Sequence, residues 1–217
     1  ADQAFSATVN QTYGLSLASS ADEATKAPGE TAEFSFTITN DGNGEDSYAV
    51  VVGGPSAYSP ASDAAEVTVA AGATGQFVVS AMVPADKQAH TQSGDITVTV
   101  TSEDGATSAS TMVSVTTAQV FALAFDGGAK TASVAQDASV SVVFNLTNSG
   151  NGPETVTFAL DGAPAFATLS ETSGVVGPGQ TITVRQLSHR PQMTRPAAAA
   201  SLSPPPAAAE RLFRAAP

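Results

Sequence analysis

The residues best placed to do chemistry in this chain lie in one loop, Asp41-Gly42-Asn43-Gly44-Glu45-Asp46. Oxygen-bearing side chains at alternate positions around glycines resemble the opening of a calcium loop, where such oxygens surround a hard cation. The candidate ligands are Asp41, Asn43, Glu45 and Asp46. The distant bidentate Glu that completes an EF-hand is missing, because the twelfth position is Val52. A second copy of the loop offers Ser149, Asn151, Pro153 and Glu154, which loses two carboxylates. Asn and Gly also build tight turns unaided, and that is the competing reading.

Elsewhere the catalytic vocabulary is sparse. His90 sits in a polar stretch and His189 in an Arg-rich one, and no motif gives either a Ser or Asp partner. An enzyme needs a convergent nucleophile, base and orienting group, so a non-enzyme without a cofactor is expected. The chain has no cysteine, which excludes disulfides, thiolate nucleophiles and thiolate metal sites. Asn10-Gln11-Thr12 and Asn145-Leu146-Thr147 match the glycosylation acceptor pattern, and strand alternation turns Asn145 outward.

The elements that carry these residues repeat at a spacing of 108. Thr39-Asn40-Asp41-Gly42-Asn43-Gly44 recurs as Thr147-Asn148-Ser149-Gly150-Asn151-Gly152. Phe34, Phe36 and Ile38 align with Val142, Phe144 and Leu146. Upstream, Ala4–Val9 aligns with Met112–Thr117, so residues 1–10 are expected to be the last strand of a preceding repeat. The sequence lacks an initiator Met, a signal peptide and a transmembrane run, and reads as a piece of something longer. A fixed period of this size indicates tandem domains, each with its own core.

Within the first copy, Thr31–Thr39 alternates strictly, with Ala32, Phe34, Phe36 and Ile38 on one face. A period of two means a strand with one buried face. Asp95–Thr101 alternates likewise, with Ile96, Val98 and Val100 inward. Adding Tyr13–Leu17, Ser47–Val52, Ala65–Val69, Gln76–Val83 and Ser108–Thr116 gives seven strands, with turn signals between them. The expected fold is all-β: tandem immunoglobulin-like antiparallel β-sandwiches, the first over residues 11–118. Phe34, Phe36, Ile38, Phe77, Val79, Ile96, Val98 and Val100 form its expected core.

The second copy, residues 119–184, is expected to be incomplete. After Val184 the composition changes, and residues 185–217 hold six of the 13 prolines and all the arginines. That segment reads as a basic Pro/Ala linker or as a frame-shifted end, and its mid-strand onset favours the second. Disorder is expected there, with a short helix near 206–214 as the exception, because Pro206 precedes a run of good helix formers.

The run Ala27-Pro28-Gly29-Glu30-Thr31, the alternating strand and the Thr39–Gly44 turn together resemble a known repeat type. So does the Ala70-Ala71-Gly72-Ala73 turn before Phe77–Val83 and Pro84. They are similar to the Ig-like repeats called NEW3 or CARDB, of archaeal and bacterial cell-surface and secreted proteins. The resemblance implies an extracellular spacer, an adhesive stalk or an accessory module beside a secreted hydrolase, with no catalytic residues to carry over. In the second copy Gln136-Asp137 replaces Pro28-Gly29, a departure from the pattern.

Charge narrows the partners. Residues 1–184 carry 19 acidic residues against three Lys, a net of −16. Such a body repels nucleic acid and anionic lipid. The expected partners are neighbouring repeats and cell-surface glycans or proteins, with no membrane insertion. The alternative function is a carbohydrate-binding module, which would need an exposed aromatic platform. The outward faces of Thr31–Thr39 and Asp95–Thr101 carry Thr, Ser and acid instead.

Overall fold

The computed structural model describes residue 3, residues 5–191 and the backbone of residues 214–215. The described chain is all-β and divides into two units, Ala1–Gln119 and Val120–Pro217.

Unit 1 is built from nine strands. Four form one sheet in the order β1-β3-β7-β5: β1 (Leu15–Ser19), β3 (Thr31–Asn40), β7 (Thr74–Met82) and β5 (Ala61–Ser62). Five form the other in the order β2-β9-β8-β4-β6: β2 (Glu23–Lys26), β9 (Ser108–Thr117), β8 (Ile96–Ser102), β4 (Asp46–Gly53) and β6 (Glu66–Val69). One core joins them, with Phe34, Phe36, Ile38, Phe77 and Val79 from the first sheet and Tyr48, Ile96, Val98, Val100 and Val115 from the second. Two sheets that share a core from facing sides are a β-sandwich. All eight expected core residues are buried, because strict alternation over several residues leaves only one way to hide the apolar set.

The second sheet of this unit departs from the sequence reading in two ways. The strand β2 has no apolar alternation, only Glu-Ala-Thr-Lys, and escapes a hydrophobic pattern. It pairs with β9 in parallel, so the second sheet is mixed rather than antiparallel throughout. Residues 1–10 supply no strand among the described positions 3 and 5–10, all of which are exposed. A strand needs a neighbour for its backbone, and the described chain offers none at this place.

Unit 2 repeats part of this order. The sheet β10-β11-β15-β13 comprises β10 (Leu123–Phe125), β11 (Ser139–Asn148), β15 (Thr181–His189) and β13 (Ala167–Leu169). It matches β1-β3-β7-β5 strand for strand. A second sheet holds β14 (Ser173–Val176), β12 (Glu154–Ala159) and the two-residue β16 (Arg214–Ala215). Among the described residues its buried cluster is Leu146, Val156, Phe158, Val176 and Val184, against 17 residues in unit 1.

The strand pattern does not break at Val184, as the sequence suggested. It runs on to His189, with Val184, Gln186 and Ser188 inward and Arg185, Leu187 and His189 outward. The inward residues after Val184 are polar, so apolar alternation could not register them. Arg214 lies in a strand rather than in the expected helix, pairing with Ala159 on β12. The remainder of that helix, Pro206–Phe213, lies outside the described residues.

Candidate functional site

The repeated turn is organised by a buried amide. Asn40, at the end of β3, is fully buried. Its Nδ2 donates to the carbonyls of Gly44 (2.9 Å) and Val69 (2.8 Å), and its Oδ1 accepts from the Gly42 N–H (2.9 Å). Its own N–H donates to the Ala73 carbonyl, and its carbonyl accepts from the Gly72 N–H. Every polar group of the residue is therefore paired, which is what a buried amide requires. Asn148 repeats the arrangement, donating to Gly152 and Val176 (2.8 Å each) and accepting from Gly150 (2.8 Å). This is the physical reason for the 108-residue echo: one side chain ties the β3 end, the turn and β6 together.

The rest of the turn holds the chain that enters the unit. Asn43 accepts from the Thr12 N–H (2.7 Å) and donates to the Asn10 carbonyl (3.0 Å). Gln11 donates to the Glu45 carbonyl (2.9 Å), and the Asp41 N–H donates to the Gly14 carbonyl (2.9 Å). A side chain on Gly42 would drive into the Thr12 carbonyl, and one on Gly150 into the Val120 carbonyl. The glycines are there for close backbone approach.

The same geometry sets out where the calcium candidates Asp41, Asn43, Glu45 and Asp46 point. Among the described residues no three His, Cys, Asp or Glu side chains come together to hold a metal ion. The amide of Asn43 is turned to the entering chain. Asp46 points inward, where its carboxylate accepts from Ser102 Oγ (2.6 Å) and the Glu103 N–H (3.3 Å). Asp41 and Glu45 are left exposed.

Tyr48 packs beside this carboxylate and donates to the Gly14 carbonyl (3.1 Å). Burial, together with the negative charge and hydrogen bond of Asp46, pushes its phenol from 10.0 up to about 12. A folded-state value raised above the unfolded one contributes stability that is complete below pH 10 and is lost as pH rises through 12. Unit 1 is therefore expected to lose stability across that alkaline window, and Tyr48→Phe to flatten the loss. The difference between the ultraviolet absorbance titrations of the parent and of Tyr48→Phe should place the Tyr48 step well above pH 10. A difference step at pH 10 would contradict this.

The other candidates are more ordinary. His189 Nδ1 lies 3.0 Å from Ser139 Oγ, a contact the sequence did not signal because it joins residues 50 apart. The two are a directly opposed pair on β11 and β15. Both are exposed, and the hydrogen bonds of this pair include no carboxylate to orient the ring. A Ser–His contact so placed is a directly opposed cross-strand pair. His90 takes a left-handed backbone (φ 62°) in the loop before β8 and donates its N–H to the Thr117 carbonyl.

Neither glycosylation candidate stands in a loop tip. Asn145 is mid-strand on β11, with its Nδ2 donating to Asp126 (2.9 Å) and its Oδ1 accepting from Thr183 (2.8 Å). The Asn145 N–H and the Lys130 ammonium hold the Asp126 carboxyl below the usual range. Asn10 is exposed, with its carbonyl held by Asn43.

No protein-family profile matches the chain, and no curated protein matches it. Solved structures do. A protein of unknown function from Porphyromonas gingivalis W83 aligns at 16% identity over 80% of this chain and 83% of that one, with a TM-score of 0.35. The YadV chaperone aligns at 10% identity over 78% and 84%, with a TM-score of 0.33. The E. coli chaperone DraB aligns at 10% over 78% and 84%, with a TM-score of 0.32. Likenesses of this size carry no argument about function.

Proposed function

We propose that the chain is a non-enzymatic structural or adhesive spacer, built of tandem Ig-like repeats of an extracellular microbial surface protein, with the second repeat truncated. The observation that carries this reading is the buried-amide turn, present at Asn40 and again at Asn148 with the same set of partners. The most repeated residues of the chain serve to anchor each unit to the chain that leads into it. A spacer needs that joint more than it needs a cleft. The acidic surface suits a soluble extracellular segment.

The alternative, a carbohydrate-binding or accessory module of a secreted hydrolase, needs aromatic side chains ranged on a sheet face. Phe34, Phe36, Phe77 and Phe158 are buried instead. Affinity electrophoresis of the full chain through gels containing soluble glucans, xylans and chitin derivatives separates the two readings. Unretarded migration in every gel is the expected result. Retardation by one polysaccharide, relieved by the free oligosaccharide, would replace the spacer with the binding module.

A further inference from the structure

The Asn43-Gly44 pair carries a chemistry that the hydrogen bonds of the turn do not call for. The chain has six asparagines, and only Asn43 and Asn151 precede a glycine. The same two each hold an entering chain: Asn43 Oδ1 accepts from the Thr12 N–H and Asn151 Oδ1 from the Val120 N–H (2.7 Å each). Before a glycine, the next backbone nitrogen reaches the side-chain carbonyl with least hindrance, because no Cβ stands in the way.

The fold does not demand a glycine at position 44. Gly44 has no positive φ, and a Cβ there would meet only the flexible end of Gln11. Its N–H has no hydrogen-bond partner among the described residues, whereas the Gly42 N–H is taken by Asn40 Oδ1. The nitrogen after Asn43 is therefore free to react, and the one after Asp41 is not. The carbonyl it would attack is prepared as well. The Thr12 N–H on Asn43 Oδ1 polarises the amide and stabilises negative charge that develops on that oxygen. Asn43 is exposed, so water reaches the product.

We propose that Asn43 is a site of spontaneous, irreversible deamidation, a modification that loosens the chain entering unit 1. The Gly44 nitrogen loses its proton to solvent and attacks Cγ of Asn43. An N–Cγ bond forms, the Cγ–Nδ2 bond breaks, and Nδ2 takes up a proton and leaves as ammonia. Water then opens the five-membered imide at either carbonyl, which leaves aspartate or isoaspartate at position 43. The new carboxylate has no N–H to give, so the bond from Asn43 Nδ2 to the Asn10 carbonyl is lost and an acceptor faces an acceptor. One more negative charge also joins the exposed acids Asp41 and Glu45 in the same turn. The modification stands on the turn alone, while its bearing on a joint between repeats rests on the spacer reading.

The full chain, held in warm buffer at neutral and at mildly alkaline pH and then mapped by peptide mass spectrometry, tests this. Conversion is expected to appear first at Asn43 and to be faster at the higher pH, because the Gly44 nitrogen must lose its proton. Asn10, Asn40, Asn145 and Asn148 should remain amides over the same interval. Gly44→Ala, which the backbone and the Gln11 contact permit, should keep the melting curve and lose most of the conversion. Asn43→Asp, made directly, should speed amide exchange across residues 11–14 while leaving β3 as protected as before. Conversion at Asn43 no faster than at Asn10, or undiminished in Gly44→Ala, would overturn the assignment. Unchanged exchange in Asn43→Asp would overturn the loosening. None of these outcomes bears on migration through polysaccharide gels, so this proposal and the spacer reading fail separately.

Discussion

Phe36→Ala is expected to lower the stability of unit 1 by about 3–5 kcal/mol. Phe36 is fully buried on β3, directly opposite Phe77 on β7, and the two rings stack with centroids 5.1 Å apart. Truncation removes the transfer gain of the ring and leaves a cavity in a core built chiefly of valine. Val79, Val98 and Val100, short β-branched members of the same core, have little reach to refill it. A loss of this size is a large part of the total stability of an ordinary domain. Tyrosine fluorescence offers a selective readout, since the three tyrosines, Tyr13, Tyr48 and Tyr58, all lie in unit 1 and the chain has no Trp. Urea titration followed by this signal should show the midpoint falling sharply. A midpoint within experimental error of the parent would mean that the core does not depend on the stacked pair.

Asn40→Ala should cost about 2–5 kcal/mol, a large effect for a residue in a turn. The substitution leaves the carbonyls of Gly44 and Val69 and the N–H of Gly42 without the partners that Asn40 supplies. Each buried group left unmade costs about 1–3 kcal/mol. Asn40→Asp is a sharper test, because it keeps an acceptor for Gly42 while removing both donors and burying a charge. It should be no better than the alanine variant. Asn43→Ala, at an exposed position of the same turn, should cost far less, about 1 kcal/mol. Equal losses at Asn40 and Asn43, read from the same urea titrations, would show that burial of the amide is not what matters.

What could be read from the sequence followed from apolar spacing. The faces of β3 and β8 were legible because Phe34, Phe36 and Ile38, and Ile96, Val98 and Val100, alternate with polar residues. Strand β2 was not, because Glu-Ala-Thr-Lys carries no such signal and its place is fixed by β9, some 90 residues away in the chain. The end of β15 was missed for a related reason: Gln186 and Ser188 are buried polar residues, and hydrophobic periodicity cannot count them. The turn at Asn40 stood out as a repeat, but its spacing of oxygens suggested a ligand site. A side chain that bonds its own neighbours and one that binds an ion use the same atoms, and only the placement of Gly44, Val69 and Thr12 around the turn decides between them.

The parallel pairing of β2 with β9 has a mechanical consequence. Tension carried along the chain enters unit 1 through Thr117, at the end of β9, where Lys26 of β2 stands opposite. Pulled lengthwise, β9 slides past β2 on one side and β8 on the other, and the hydrogen bonds between them lie across the direction of pull. Bonds loaded in shear share the force and yield together, whereas bonds loaded end-on open one after another. A unit held this way resists stretching up to a threshold and then gives way at once, releasing about 35 nm of chain. Gradual lengthening under a steadily rising pull would contradict this. A four-residue strand with no apolar pattern is then the clasp that sets how much load unit 1 can bear.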